Sequence, residues 1–145
     1  MRNLTDHIVE GDSANHQLTI EVKDEPGQGG ANHEYSIGMF GKFEAGVRAP
    51  LHRLQNIEVL PDGSVTGELC HISFQNGPIK EFGVNGVTQE ALLAIVIDRL
   101  ESFQAGPFAC DDNAIAPWHC RIALDRLQKR TRARIARGVE GTHEK

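Results

Sequence analysis

The spacing of apolar residues changes at Thr88, and this divides the 145-residue chain into two kinds of structure. Before that point apolar side chains alternate. In HQLTIEVK, residues 16–23, Leu18, Ile20 and Val22 share one side of an extended segment, the pattern of a half-buried strand. HEYSIGMF, residues 33–40, places Tyr35 and Ile37 on one alternation, and Pro26, Gly27, Gly29 and Gly30 turn the chain between the two runs. NIEVLPDGSVTGELCHISFQ reads as strand, turn, strand, because Pro-Asp-Gly between two β-forming runs is the strongest hairpin signal present. KFEAGVRAPLHRLQ, residues 42–55, fits either a loop or a short helix. Residues 1–73 are therefore expected to form an antiparallel β-rich domain of four to six strands, followed by a glycine-rich connector over 74–87.

From Thr88 the period is helical. Thr88 offers an N-cap hydroxyl, Glu90 an early acidic charge, and Val87 with Leu92 an apolar staple. Leu92, Leu93, Val96, Ile97, Leu100 and Phe103 then cover about 140° of a helical wheel, and Gly106 with Pro107 ends the helix. A second helix, capped by Asp111 or Asp112, is expected to reach Arg137 and stop at Gly138. Pro117 strains that start: a cap at Asp112 deletes a backbone hydrogen bond, whereas a cap near Ala116 puts the proline at the first helical position. A bent or late-starting first turn is the expectation. The fold class is α+β: a β-rich part, then an αα-hairpin over 88–145.

The second helix carries two apolar edges, Cys120, Leu124, Leu127, Thr131 and Ile135 on one and Trp118, Ile122, Ala133 and Ala136 on the other. One partner helix covers only one edge, so the other is expected to pack on the β part or on a second subunit, and the chain to oligomerise.

Charge is also divided. Residues 1–120 hold seven Lys/Arg against seventeen Asp/Glu, while residues 121–145 hold eight against three. Within RTRARIARGVEGTH, at 100° per residue, Arg126, Arg130, Arg134 and Arg137 form a stripe about 80° wide between the two apolar edges. No acidic residue interrupts 126–137, so neutralisation within the helix is expected to be poor. Three readings stand: a solvated face, an anion or phosphate site, and a surface for an acidic partner. The second gains from Gly138, Gly141, Thr142 and His143, which can bring backbone N–H groups and a hydroxyl to a phosphate. The loop from Phe74 to Gly86 adds aromatic rings, amides and Lys80, each of which also suits core, turn or solvent.

Other classes find less support. No apolar run of membrane-spanning length and no signal core occurs, so a cytoplasmic protein is expected. Cys70, Cys110 and Cys120 are an odd number without metal-knuckle spacing, which argues for reduced thiols and against a structural metal. None of HExxH, GxSxG or GxxxxGK[ST] is present. His33, His52 or His71 beside Asp62 or Glu68 would be the material for a phosphodiesterase-like cleft. PGQGG, residues 26–30, lacks the following helix that a dinucleotide fingerprint needs. A nucleic-acid-binding accessory protein using the basic helix is the alternative to small-anion binding.

FQNGPIKEFGVNGVTQEALLAIVIDRLESFQAGPFAC, followed by ALDRLQKRTRARIARGVEGTH, resembles the helical-hairpin domain shared by phage Thoeris anti-defence proteins and phage anti-CBASS nucleotide sponges. The likeness spans residues 74–143, and LTIEVKDEPGQGGANHEYSI looks like the β-rich part of the Thoeris branch. The resemblance implies a non-enzymatic, cofactor-free sink for immune signalling nucleotides: cyclic ADP-ribose isomers and, in some members, cyclic di- or trinucleotides. It implies a homo-oligomer, often a hexamer, working in the host cytoplasm without membrane or long nucleic acid. Mapped onto this sequence, Arg130, Arg134 and Arg137 would grip phosphates, and Phe82 and Asn85 would contact adenine. Lys80, Arg99, Thr142 and His143 are the candidates for a second nucleotide pocket.

Overall fold

In the computed structural model, which describes residues 1–42 and 51–144, the chain forms two compact units, Met1–Ser73 and Phe74–Lys145. The first is a five-stranded antiparallel sheet of β1 (Arg2–Leu4), β2 (Leu18–Val22), β3 (Glu34–Gly41), β4 (Gln55–Val59) and β5 (Val65–Ser73). The spatial order is β1-β2-β3-β5-β4. Leu18, Ile20 and Val22 pair with Met39, Ile37 and Tyr35, so the two alternations read from sequence meet in register. Among the described residues of this unit, Val22, Met39 and Leu54 are the buried apolar ones. β3 and β5 slip by one residue between Ile37 and Gly38, and Leu69 is the extra residue, because Cys70 faces Ile37 and Glu68 faces Gly38.

The Pro-Asp-Gly turn joins β4 to β5 as expected. Gly63 N–H donates to Leu60 O at 2.9 Å with Gly63 at φ +81°, and Asp62 Oδ1 accepts from both Ser64 N–H (3.0 Å) and Ser64 Oγ (2.5 Å). These Ser64 bonds, the hydroxyl first, hold the Asp62 carboxyl below its ordinary pKa. β1 is the strand that residue pattern did not announce; three residues carry no readable period, and β2 supplies the ladder. Of residues 42–55, the described part holds a 3₁₀ turn, Leu51–Arg53, and the first residue of β4, Gln55; residues 43–50 lie outside the described residues.

The second unit contains α1 (Ile79–Phe82), α2 (Gln89–Gln104) and α3 (Asp111–Ala136). Thr88 Oγ1 accepts from Ala91 N–H at 3.2 Å, the N-cap bond expected of it. Ile97 is 4% exposed and Leu92, Leu93 and Leu100 are half-buried, whereas Val96 and Phe103 remain exposed. α3 covers only part of the apolar arc of α2. On α3 itself Cys120, Leu124, Leu127 and Thr131 are half-buried, while Ile135, Ile115, Trp118 and Ile122 are exposed.

α3 does not start late at Pro117. The helix begins at Asp111, capped by the Cys110 thiol, which accepts from Asn113 N–H at 3.4 Å, and it runs through Pro117. An interior proline forfeits one backbone hydrogen bond at a cost of about 3 kcal/mol. Burial of its ring near Glu101, Gln104 and Ala105 of α2 offsets part of that cost. Arg121 then braces the two helices through Glu101, with Nε at 2.8 Å from Oε1. At the other end Gly138, φ +73°, donates to Ile135 O (2.9 Å) while Val139 N–H reaches Arg134 O (3.1 Å), the paired bonds of a Schellman stop.

Candidate functional site at the open end of the hairpin

Residues 74–87, at the start of the second unit, are no passive loop. Phe74 and Val87 form a parallel bridge, and Gln75 N–H donates to Val87 O at 2.9 Å, so the ends of the segment are pinned together. Two amide side chains fasten what lies between. Asn85 Oδ1 accepts from Asn76 N–H (2.9 Å) and Asn85 Nδ2 donates to Asn76 O (2.8 Å), closing a reciprocal pair. Gln75 Oε1 accepts from Asn85 N–H (3.0 Å), while Gln75 Nε2 donates to Gly83 O (2.9 Å) and Gly77 O (3.3 Å). These bonds satisfy backbone groups that a loop would otherwise leave to water.

α1 sits on this clip. Phe82 packs against Gly77 so closely that a Cβ there would lie 2.6 Å from Phe82 Cδ2, and Gly77 at φ +82° supplies the backbone shape as well as the space. The ring is nonetheless 62% exposed. One part of it is fixed by backbone and the remainder is open for stacking.

The C-terminal tail returns to α1. Lys80 N–H donates to Gly141 O at 3.3 Å, and a Cβ on Gly141 would touch Lys80 Cγ at 3.4 Å. His143 Nε2 lies 3.8 Å from Glu81 Oε2, an ion pair when the imidazole is protonated. Thr142 Oγ1 donates to Val139 O (2.7 Å) and accepts from Glu144 N–H (3.2 Å). The tail is thus folded on itself and held to α1.

Arg134 lies at the centre of that turn. Its Nε donates to Glu140 Oε2 (3.2 Å), Nη1 to Glu144 O (2.8 Å), and Nη2 to Val139 O (3.0 Å) and Thr142 O (2.9 Å). Arg126 and Arg130 are exposed and form no ion pair among the described residues. Arg137 is the C-cap of α3. Arg132, off the stripe, reaches back to Asp125 at 3.4 Å. Neutralisation is therefore less poor than the uninterrupted basic run implies, because the acids that supply it, Asp125 and Glu140, stand just outside the run.

The structure thus brings Lys80, Arg134, Thr142 and His143 together where the tail meets α1, whereas Phe82 lies on α1 against Gly77 and Asn85 is bonded to Asn76 and Gln75 in the loop. Arg130 stands one helical turn before Arg134. Arg99 is not part of this group; it lies far along α2, with its guanidinium 4.9 Å from the centre of the Phe103 ring. Gln75, Asn76 and Glu140 hold the site together without having been singled out individually by residue pattern. The paired Gln-Asn-Gly and Asn-Gly sequences at the loop ends were the available signal for the first two.

The sheet unit holds a separate polar cluster. Glu34 Oε2 accepts from Ser73 Oγ and pairs with His71 Nε2, both at 2.6 Å, and His71 Nδ1 lies 3.8 Å from Glu68. The Ser73 bond, the largest effect, holds the Glu34 carboxyl below its ordinary pKa; desolvation opposes it, and the His71 bond and charge add to the lowering. Ser73 is bonded to the carboxylate and not to the imidazole, so the trio lacks the serine-to-base contact that activates a nucleophile. Of the other histidines weighed for a cleft, His33 faces Asp24 at 3.7 Å, and Asp62 is spent on Ser64 and on Lys42 at 3.2 Å.

Residues 67–132 match the model of a family described as the Acb2/Tad1 hairpin domain, a match that takes in α1, α2 and most of α3 and stops short of Arg134. The chain is also similar to a protein of Bacillus phage SBSphiJ7 named Thoeris anti-defense 1, with 52% identity over 79 residues. That stretch is 54% of this chain and 56% of the relative, so the likeness spans about half of each. No helix among the described residues is long and apolar enough to cross a membrane.

Proposed function

We propose that this chain, whose residues 67–132 match the Acb2/Tad1 hairpin-domain model, is a phage anti-defence protein that binds immune signalling nucleotides and holds them without cleavage. The ligand class is a cyclic ADP-ribose isomer or a related cyclic nucleotide. The observation that supports this reading is the docking of the tail on α1: Lys80 N–H bonds Gly141 O, and Arg134 of α3 bonds Thr142 O in the same folded tail, while Phe82 is carried on α1. Phe82 offers an open ring to adenine. Arg130 and Arg137 are assigned to the phosphates, Asn85 and Arg134 to the same site. Lys80, Thr142 and His143 are assigned to a second pocket, to which Arg99 belongs only if another subunit closes the distance.

Such a site needs affinity and no catalytic group. To deplete a micromolar messenger a sponge needs a Kd near nanomolar, about 12 kcal/mol of binding free energy. Bidentate arginine contacts and base stacking supply interactions of the right kind. The exposed Ile115, Trp118 and Ile122 on α3 and Val96 and Phe103 on α2 support a homo-oligomer in which subunits share the hairpin surface.

Native mass spectrometry after incubation with cyclic ADP-ribose isomers and cyclic di- and trinucleotides tests the proposal. Expected are a multimer with stoichiometric ligand, and intact ligand recovered after heat denaturation. Linearised product, or no binding across the panel, would overturn it.

A further inference from the structure

We propose that Arg134 is the positioning residue of this site: its guanidinium shapes the tail into a fixed receptor for a nucleotide phosphate and does not itself clamp that phosphate. The inference rests on the ligand class proposed above.

An arginine has five N–H donors. Four of those on Arg134 are taken, by Glu140, Glu144, Val139 and Thr142, at 2.8–3.2 Å. A bidentate phosphate contact requires two parallel N–H groups from one edge of the fork. At most one N–H, on Nη1, is left, so clamping a phosphate would first break the tail apart. The side chain is also only 24% exposed, and its charge is already matched by the Glu140 carboxylate.

What Arg134 does instead follows from peptide geometry. A trans peptide is planar, so a carbonyl aimed one way sends the N–H of the next residue the opposite way. Turning the Val139 and Thr142 carbonyls onto Arg134 therefore turns the Glu140 and His143 N–H groups away from it. Gly138 at φ +73° and Gly141 at φ +74° make the reversals that allow the inward carbonyls. Backbone N–H groups presented outward from a tight turn are an anion receptor, and they act at no cost in reorganisation only while the turn is held.

The test uses the full-length protein and a cyclic ADP-ribose isomer as probe, with cyclic di-AMP in parallel. Amide hydrogen exchange of residues 139–144 is measured without ligand, and affinity by calorimetry, for wild type, Arg134→Ala and Arg134→Lys. Exchange at Ile97 reports whether the hairpin is intact. Arg134→Ala is expected to raise tail exchange and lower affinity, each by at least about tenfold, and millimolar free guanidinium, but not ammonium, to restore both. Arg134→Lys, a point cation without the fork, should behave like the alanine variant. Affinity that collapses while ligand-free tail exchange stays unchanged would make Arg134 a direct contact and overturn the inference. A loosened tail with affinity within twofold of wild type would overturn it too. If Arg134→Ala loses protection at Ile97, the lysine variant supplies the same two readings. Wild-type protein that binds neither probe nor any other cyclic nucleotide overturns the ligand class and the receptor role together; the ligand-free exchange then separately decides whether Arg134 holds the tail.

Discussion

Replacing Gly86 with alanine tests whether the clipped loop is built as described. A Cβ at this position would lie 2.4 Å from the Phe74 carbonyl carbon and 2.6 Å from both Gln75 N and Phe74 O. All three atoms are backbone, so no rotamer change relieves the overlap. The Phe74–Val87 bridge has to open by about 1 Å to reach ordinary contact distance. Loss of the 2.9 Å Gln75–Val87 hydrogen bond costs about 0.5–1.5 kcal/mol. Residual overpacking adds about 1–3 kcal/mol. The combined penalty of about 2–4 kcal/mol corresponds to a roughly 30- to 1000-fold rise in the open population of the loop. The bridge ties the loop and not the seam between α2 and α3, so the loss should appear as local opening. Amide exchange is expected to accelerate at Gln75, Asn76 and Asn85 and to remain unchanged at Ile97. Ligand affinity should fall with it, since Phe82 is carried on this loop. Gly29→Ala, where a Cβ meets nothing within 4 Å, is the control and should stay within about 0.5 kcal/mol. Exchange at Gln75 within twofold of wild type would refute the close packing of Gly86 against Phe74.

The Glu34 carboxyl has a lowered pKa, so its contribution to stability is present above the ordinary carboxylate range and disappears as pH falls through the depressed folded value. Glu34→Gln should therefore melt earlier than wild type near neutral pH, and the gap in Tm should close on acidification; parallel curves would show that the Ser73 and His71 bonds contribute nothing. Trp118 is 60% exposed on the uncovered face of α3, and Trp118→Glu is expected to leave circular dichroism unchanged while reducing the solution mass to that of one chain. An unchanged mass by light scattering would move the subunit interface elsewhere. Thr88→Ala removes the 3.2 Å cap bond to Ala91 and should lower the urea unfolding free energy by about 1 kcal/mol, with an unaltered midpoint counting against the cap.

Sequence alone determined the features that depend on neighbours along the chain. The alternation of Leu18, Ile20 and Val22, the Pro61-Asp62-Gly63 turn, the Thr88 cap and the Gly138 stop are each set within one or two turns of backbone, and each forms where the residues place it. The α+β division follows from the same local periods. Tertiary structure decided everything that needs a partner distant in sequence. β1 exists because β2 lies beside it, and Pro117 sits inside α3 with its ring buried, which offsets part of the cost of the lost hydrogen bond. The use made of polar side chains belongs to the same class. Nothing in the spacing of four arginines says that Arg134 turns back into the tail while Arg130 faces outward, nor that Asn85 spends its amide on Asn76. A periodicity records which face a side chain occupies, but a hydrogen bond also needs an unmatched donor or acceptor at about 3 Å, and only the folded chain brings one there.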